Sequence, residues 1–288
     1  MTGIAAQASA PALPDALRRA LIERIESGTL ELPLLPEVAR QVLSMNVDGE
    51  FATKELADLI HRDPAMAGHI LRLANTARYA PPIPIVTLQQ AVSRLGLKKI
   101  REIAMIVSCE SRLFSVEGFE GRLRMTFRHS LGAGLFAQEI ARMRRWNVEE
   151  AFLCGLLHDV GRPVLLQSLV DLRKSIPGDA DAEAVDAFVR EHHARVGRQL
   201  VERWHLSARL AETIEHHHDP DSAPSCSQPA RMTRLADDLS HLVVHSSPVT
   251  EEAVRRHPMN ALLNIYPDEM DALLQKRASI LANVESLA

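Results

Sequence analysis

Residues 153–165 read LCGLLHDVGRPVL, an apolar run that carries His158 and Asp159 side by side and is then broken by Gly161 and Pro163. Glycine just past a helix end, with proline soon after, is a stop signature. The stretch predicts a buried helix that delivers an imidazole and a carboxylate to its own C-terminal end. That end carries partial negative charge and suits a cation better than an anion. Ionisable groups inside an apolar run are costly unless they are paired or bind metal. Taken alone, the pair fits a helix end touching solvent equally well, so the other histidines matter.

There are 13 histidines in 288 residues, and ten of them fall between His129 and His245. In the segment after Ser207, Leu210, Ile214, His217 and His218 share one face of a helix, while Glu215 and His216 point away. Two adjacent imidazoles on an apolar face favour a metal site. One helix earlier, Val189, Val196, Leu200 and Trp204 form a face to which His193 belongs, with His192 at its edge. Gly197, one turn on, leaves room for a neighbouring helix. Asp237 lies nearly opposite the stripe of Met232, Leu235, Ala236, Leu239 and Val243, and by spacing reads as solvated. His129, alone near an apolar stripe, reads as structural; Gly132, Ala133 and Gly134 beside it permit close approach. Imidazole with carboxylate suits Zn, Mn, Fe or Ni, and a bridging Asp among several His is what two ions require. No HExxH, Walker A or dinucleotide fingerprint occurs.

Hydrophobic residues make up 46% of the chain but aromatics only 4%, a core of Leu, Ala, Val, Ile and Met that suits helices. No trustworthy strand alternation occurs. Helices are predicted over Asp15–Ser27, after Pro36, after Thr53, from Asp63-Pro64, and from Thr87, whose capping box with Gln90 opens a helix that Gly96 closes. LKKIREIAMIVS follows directly, and the pattern lapses over 114–121. Further helices are expected at about 123–145, from Glu149, over 184–204, from Ser207 through His218, and over 232–244. Two or three short ones finish the chain, the last near Pro267. Pro81, Pro82 and Pro84 mark a loop, as does 219–229, and 179–183 is an acidic linker. This divides the chain into a flexible leader (1–14), an N-terminal helical unit (15–120), a His-rich unit (121–248) and C-terminal helices (249–288).

The net charge of −4 argues against binding through nucleic-acid phosphates; the basic runs Lys98, Lys99, Arg101 and Arg142, Arg144, Arg145 read as solvated helix faces. Cys109, Cys154 and Cys226 form no CxxC and fit a reducing cytoplasm. The first residues lack the pattern of a signal peptide, and no run approaches the length of a membrane span.

His129, then His158-Asp159, then a downstream Asp resembles the H…HD…D signature of HD-superfamily phosphohydrolases. The chain is more similar still to the HDOD domain, a bacterial signalling relative of the HD-GYP phosphodiesterases. LPLLPEVARQVL, LIHRDPAMAGHILRLANTARY and LQQAVSRLGLKKIREIA carry the resemblance in the first half. LCGLLHDVGRPVLL, EHHARVGRQLVERWHL and IEHHHDP carry it in the second. It spans roughly residues 30–245 and implies an all-α fold, an N-terminal helical bundle packed on an HD-like helical bundle. It implies metal ligands at His129, His158, Asp159, His193, His217, His218 and Asp237. For His129 and Asp237 the resemblance, not spacing, is the warrant. The GYP segment is replaced by DPDSAPSCSQP, and Arg162 stands where a lysine often follows HDxG. Arginine keeps charge and a phosphate fork, but both departures weigh against cyclic-di-GMP hydrolysis.

What the resemblance implies is a regulatory signal-transduction protein with a dinuclear divalent transition-metal site. Its expected partner is a signalling protein or a small phosphorylated ligand, not a membrane or nucleic acid. The alternative is a metal-dependent phosphohydrolase or phosphodiesterase, in which Asp159 bridges two ions and Arg162 stabilises charge on phosphate oxygens.

Overall fold

The computed structural model describes residues 13–45, 52–75, 84–113, 115–176, 180–244 and 249–287. The expected leader lies outside them except for Leu13 and Pro14, as do Pro81, Pro82, Asp179 and His245. Every regular element among the described residues is a helix.

Five helices occupy the first part: α1 (Asp15–Ser27), α2 (Glu37–Ser44), α3 (Ala52–Ile60), α4 (Pro64–Ala74) and α5 (Leu88–Arg112). Their starts follow side-chain chemistry. The Asp63 carboxylate accepts from the Met66 amide at 3.1 Å, with Pro64 at the first helical position. Thr87 and Gln90 form the expected capping box. α3 begins at Ala52, one residue before its expected cap Thr53. At Gly96 (φ 77°) the chain turns sharply within α5, a conformation that glycine adopts without strain. α2, α3 and α4 pack on α5, and Arg101 of α5 donates to the carbonyls of Val42 and Met45 at the end of α2. α1 instead packs against the second bundle, through α8 (Gly161–Arg173).

That bundle contains α6 (Glu120–Arg144), α7 (Val148–Leu157), α8, α9 (Ala182–Arg203), α10 (Ala208–Glu215) and α11 (Ser227–Val244). Its axis is α6, packed on both α7 and α11. The small residues expected to allow close approach do so. A Cβ on Gly155 of α7 would lie 2.5 Å from the Gly134 amide nitrogen and 2.6 Å from the Ala133 carbonyl oxygen. Two expectations are corrected here. Gly161 and Pro163 do not lead into a loop but open α8. Proline is tolerated in a first helical turn, where its missing N–H would have no intrahelical partner. α10 ends at Glu215, so His216, His217 and His218 lie in the turn that follows rather than on the helix.

The segment that replaces GYP is anchored by Glu212 of α10. Its carboxylate accepts from the Ser225 amide (2.6 Å), the Ser225 hydroxyl (2.7 Å) and the Cys226 amide (2.7 Å), fixing the entry to α11. The Ser225 hydroxyl and these amides hold the Glu212 pKa down to about 2. A lowered folded-state value stabilises the fold fully above the unfolded value of about 4.3 and progressively less as pH falls toward 2. Glu212→Gln is therefore expected to cost about 1 kcal/mol at pH 7. The gap from wild type should narrow between pH 5 and pH 3 in denaturant titrations; a gap that does not change with pH would contradict this account.

Four short helices follow: α12 (Glu251–Arg255), α13 (Met259–Leu262), α14 (Pro267–Gln275) and α15 (Arg277–Leu287). Pro267 thus begins the third, not the last. Lys276 stays in a right-handed helical conformation between α14 and α15, and no glycine or proline marks the break. α15 packs on α6. The two basic runs are largely engaged with carboxylates: Lys98 and Arg101 with Glu149, Lys99 with Glu102, Arg142 with Glu139, and Arg144 with Glu269. No helix among the described residues is long and apolar enough to cross a membrane. All three cysteines are buried free thiols.

Candidate metal centre

α7 ends at Leu157, and His158, Asp159 and Val160 form the short joint before α8. The helix terminus therefore presents His158 and Asp159 inward, buried at 1% and 5% exposure. α10 does the same from another side, with His217 fully buried just past its end. Two helix C-termini thus converge on one point, and their partial negative charges favour a cation there.

The backbone carbonyls of these helix ends orient the imidazoles. Nδ1 of His158 lies 2.7 Å from the Gly155 carbonyl oxygen, and Nδ1 of His217 lies 2.6 Å from that of Ile214. Nδ1 of His193, on α9, lies 2.9 Å from the Arg190 carbonyl and 3.0 Å from that of Val189. A carbonyl only accepts, so each Nδ1 carries the hydrogen and each Nε2 turns a lone pair inward. This is the arrangement by which proteins hold histidines to metals. Nε2 of His217 is buried without a hydrogen-bond partner.

Two carboxylates stand among these nitrogens. Asp159 Oδ1 is 3.1 Å from His193 Nε2 and 2.7 Å from Arg162 Nε, while Oδ2 is 3.6 Å from His158 Nε2. Its oxygens thus face different imidazoles, as a bridging carboxylate must. Asp237 Oδ1 is 2.9 Å from His129 Nε2 and 3.8 Å from His158 Nε2. By spacing alone Asp237 reads as solvated, yet it is 4% exposed. α11 is covered on two sides, by α6 and by α7 with α10, so it has no single solvent face. His129 is likewise buried. Its carbonyl accepts from the Ser240 hydroxyl at 2.7 Å, tying α6 to α11 beside the site.

His218 is arranged differently. Arg234 donates to its Nδ1 at 3.0 Å, so its Nε2 carries the hydrogen and points at His193 Nε2, 3.0 Å away. For His218 to bind an ion through Nε2, Arg234 must release Nδ1. Arg234 already lies 3.7 Å from Asp237 and 3.8 Å from Asp238, its alternative partners.

The electrostatics favour neutral imidazoles at His158, His217 and His218 and ionised carboxylates at Asp159 and Asp237. Burial lowers the pKa of His158 and, with its histidine neighbours, that of His217 well below the ordinary value. Burial and His193 take His218 down to about 4. Burial opposes ionisation of Asp159, but the Arg162 guanidinium outweighs it and holds the carboxyl well below the usual range. For Asp237, the hydrogen bond with His129 outweighs burial in the same direction. Lone-pair nitrogens beside carboxylates are the donor set of a divalent transition metal. Compatible groups of ligand atoms, all within 4.8 Å of one another, occur at His193, His217 and His218 and at His129, His158 and Asp159. A third group joins His129 and Asp237 to His241, a residue outside the ligand set that the resemblance implies.

The HDOD domain profile matches residues 32–220. The chain belongs to the HDOD domain family. Solved structures share its fold. An HDOD domain protein from Geobacter sulfurreducens is 25% identical with a TM-score of 0.70, over 96% of this chain and 99% of that one. A candidate metal-dependent phosphohydrolase from Shewanella amazonensis SB2B is 22% identical with a TM-score of 0.71, over 93% and 98%. A candidate signal transduction protein from Marinobacter aquaeolei VT8 is 22% identical with a TM-score of 0.65, over 94% and 66%. The chain spans less than half the length of the curated relatives it matches, 41% and 45%.

Proposed function

We propose that this HDOD protein holds two divalent transition-metal ions in the histidine cluster and uses them to bind a phosphorylated ligand as a cytoplasmic regulatory module. The observation that carries this reading is the shared orientation of His158, His193 and His217, each with Nδ1 on a backbone carbonyl and Nε2 facing Asp159 or its neighbours. In it, His129, His158 and Asp237 serve one ion, and His193, His217 and His218 the other, with Asp159 between them. Bound ions supply positive charge for phosphate oxygens and activate water. Arg162, part-exposed beside Asp159, offers its remaining N–H groups to the same ligand. The names of the Shewanella and Marinobacter neighbours fit the catalytic and the regulatory versions of this reading. α5, which packs on both α6 and α7, gives the site a mechanical route to the N-terminal bundle.

A second reading, hydrolysis of the phosphoester, is favoured by the placement of Asp159 between two groups of imidazoles. One experiment addresses both. Metal-loaded protein is titrated calorimetrically with inorganic phosphate, nucleotides and cyclic dinucleotides, and phosphate release is followed in parallel. Binding is expected, weakened about tenfold or more in Arg162→Ala, the equivalent of one charge-assisted hydrogen bond. Metal-loaded protein that binds none of these compounds would overturn the proposal, and binding without turnover would exclude the hydrolytic version.

A further inference from the structure

The seven ligand positions implied by the family resemblance leave out His241, yet the fold brings this residue to the same carboxylate. It stands one turn beyond Asp237 on α11, with Nε2 3.4 Å from Asp237 Oδ1. Its ring centroid is 4.2 Å from that of His129, and His129 Nε2 is itself 2.9 Å from the same Oδ1. Two donor atoms that each bind one ion at about 2.0–2.2 Å lie roughly 3–3.6 Å apart. The separations around Asp237 Oδ1 therefore have the scale of one coordination sphere. The side chain of His241 is 37% exposed against 6% for Asp237, which puts it at the mouth of the centre rather than in its floor.

We propose that His241 is a further metal ligand, completing with His129 and Asp237 the coordination of one of the two ions. The inference rests on the proposed metal centre and adds a ligand that the family signature lacks. A helix that offers Asp and His at i and i+4 presents both to one ion, because residues four apart lie on the same face. The ion on the side of His193, His217 and His218 does not depend on His241.

The test is calorimetric titration of apo-protein with Zn²⁺, together with the absorption spectrum of Co²⁺-loaded protein, for wild type, His241→Ala and His257→Ala. His257 is a nearby histidine paired with Asp238 at 2.9 Å and outside the ligand groups. Expected are two binding steps in wild type and in His257→Ala. In His241→Ala, one step should weaken about tenfold or more, with the other unchanged and the Co²⁺ bands shifted. Unchanged affinities and an unchanged Co²⁺ spectrum in His241→Ala, with native far-UV circular dichroism, would overturn the role of His241 alone. Absence of metal binding by wild type would overturn the metal centre itself.

Discussion

Gly161→Ala is expected to lower stability by about 3 kcal/mol or more, the upper end for forced overpacking. At Gly161 the start of α8 runs against the backbone of α9. A methyl group there would run into the His193 carbonyl oxygen, with the Gly197 amide nitrogen only 2.7 Å away. Both obstacles are backbone, so no side chain can swing aside; α8 and α9 must separate. His193 is the residue struck, and its imidazole faces Asp159. The substitution should therefore depress both the melting temperature and metal retention. Gly121→Ala is the matched control: a Cβ there meets nothing within 4 Å, in the first turn of α6. It should be neutral or stabilising by up to about 1 kcal/mol, as for Gly to Ala in a helix. A Gly161→Ala protein that melts with wild type would show that the α8–α9 contact is not as tight as described.

Asp159→Ala should have the second large effect, with two separable parts. In metal-free protein the change strips the buried partner from Arg162 and from two imidazoles. Removing one member of a fully buried pair costs about 3–5 kcal/mol, and since Arg162 is part-exposed a smaller loss, about 2–3 kcal/mol, is expected. Denaturant titration in the presence of a chelator measures this part. The double variant Asp159→Ala/Arg162→Ala should recover some of the loss, because no cation is then left without its carboxylate. In metal-loaded protein the change removes the group that faces both sets of imidazoles, and ions should be lost. If Asp159→Ala retained the wild-type metal content, Asp159 would not be a ligand.

Much of the scaffold could be read from local chemistry. Asp63-Pro64, Thr87 with Gln90, and Ser207 each cap a helix through a short-range bond that needs no tertiary context. Gly134 and Gly197 lie at close helix crossings, as small residues on an apolar face suggest. His158, Asp159, His193 and His217 are legible together, because ionisable groups that recur in the apolar patterns of successive helices have few explanations. What failed was whatever depends on more than one neighbour. Gly161 and Pro163 serve a helix start as well as a stop, and only the carbonyl of His193 explains the glycine. The helical wheel for α11 assumes one buried face, whereas α11 is enclosed on two, which hid Asp237. His241 escaped notice for the same reason, since its position matters only beside Asp237 and His129. The reversed tautomer of His218 depends on Arg234, sixteen residues away, and no spacing rule reaches it.

Whether this cluster is built for metal is decided by the metal content of the purified chain, measured by elemental analysis beside Asp159→Ala. About two divalent transition-metal ions per chain are expected for a centre of this kind, and one or none in the variant. A wild-type chain that holds no Fe, Mn, Zn or Ni even after loading, while folded, would contradict the metal centre.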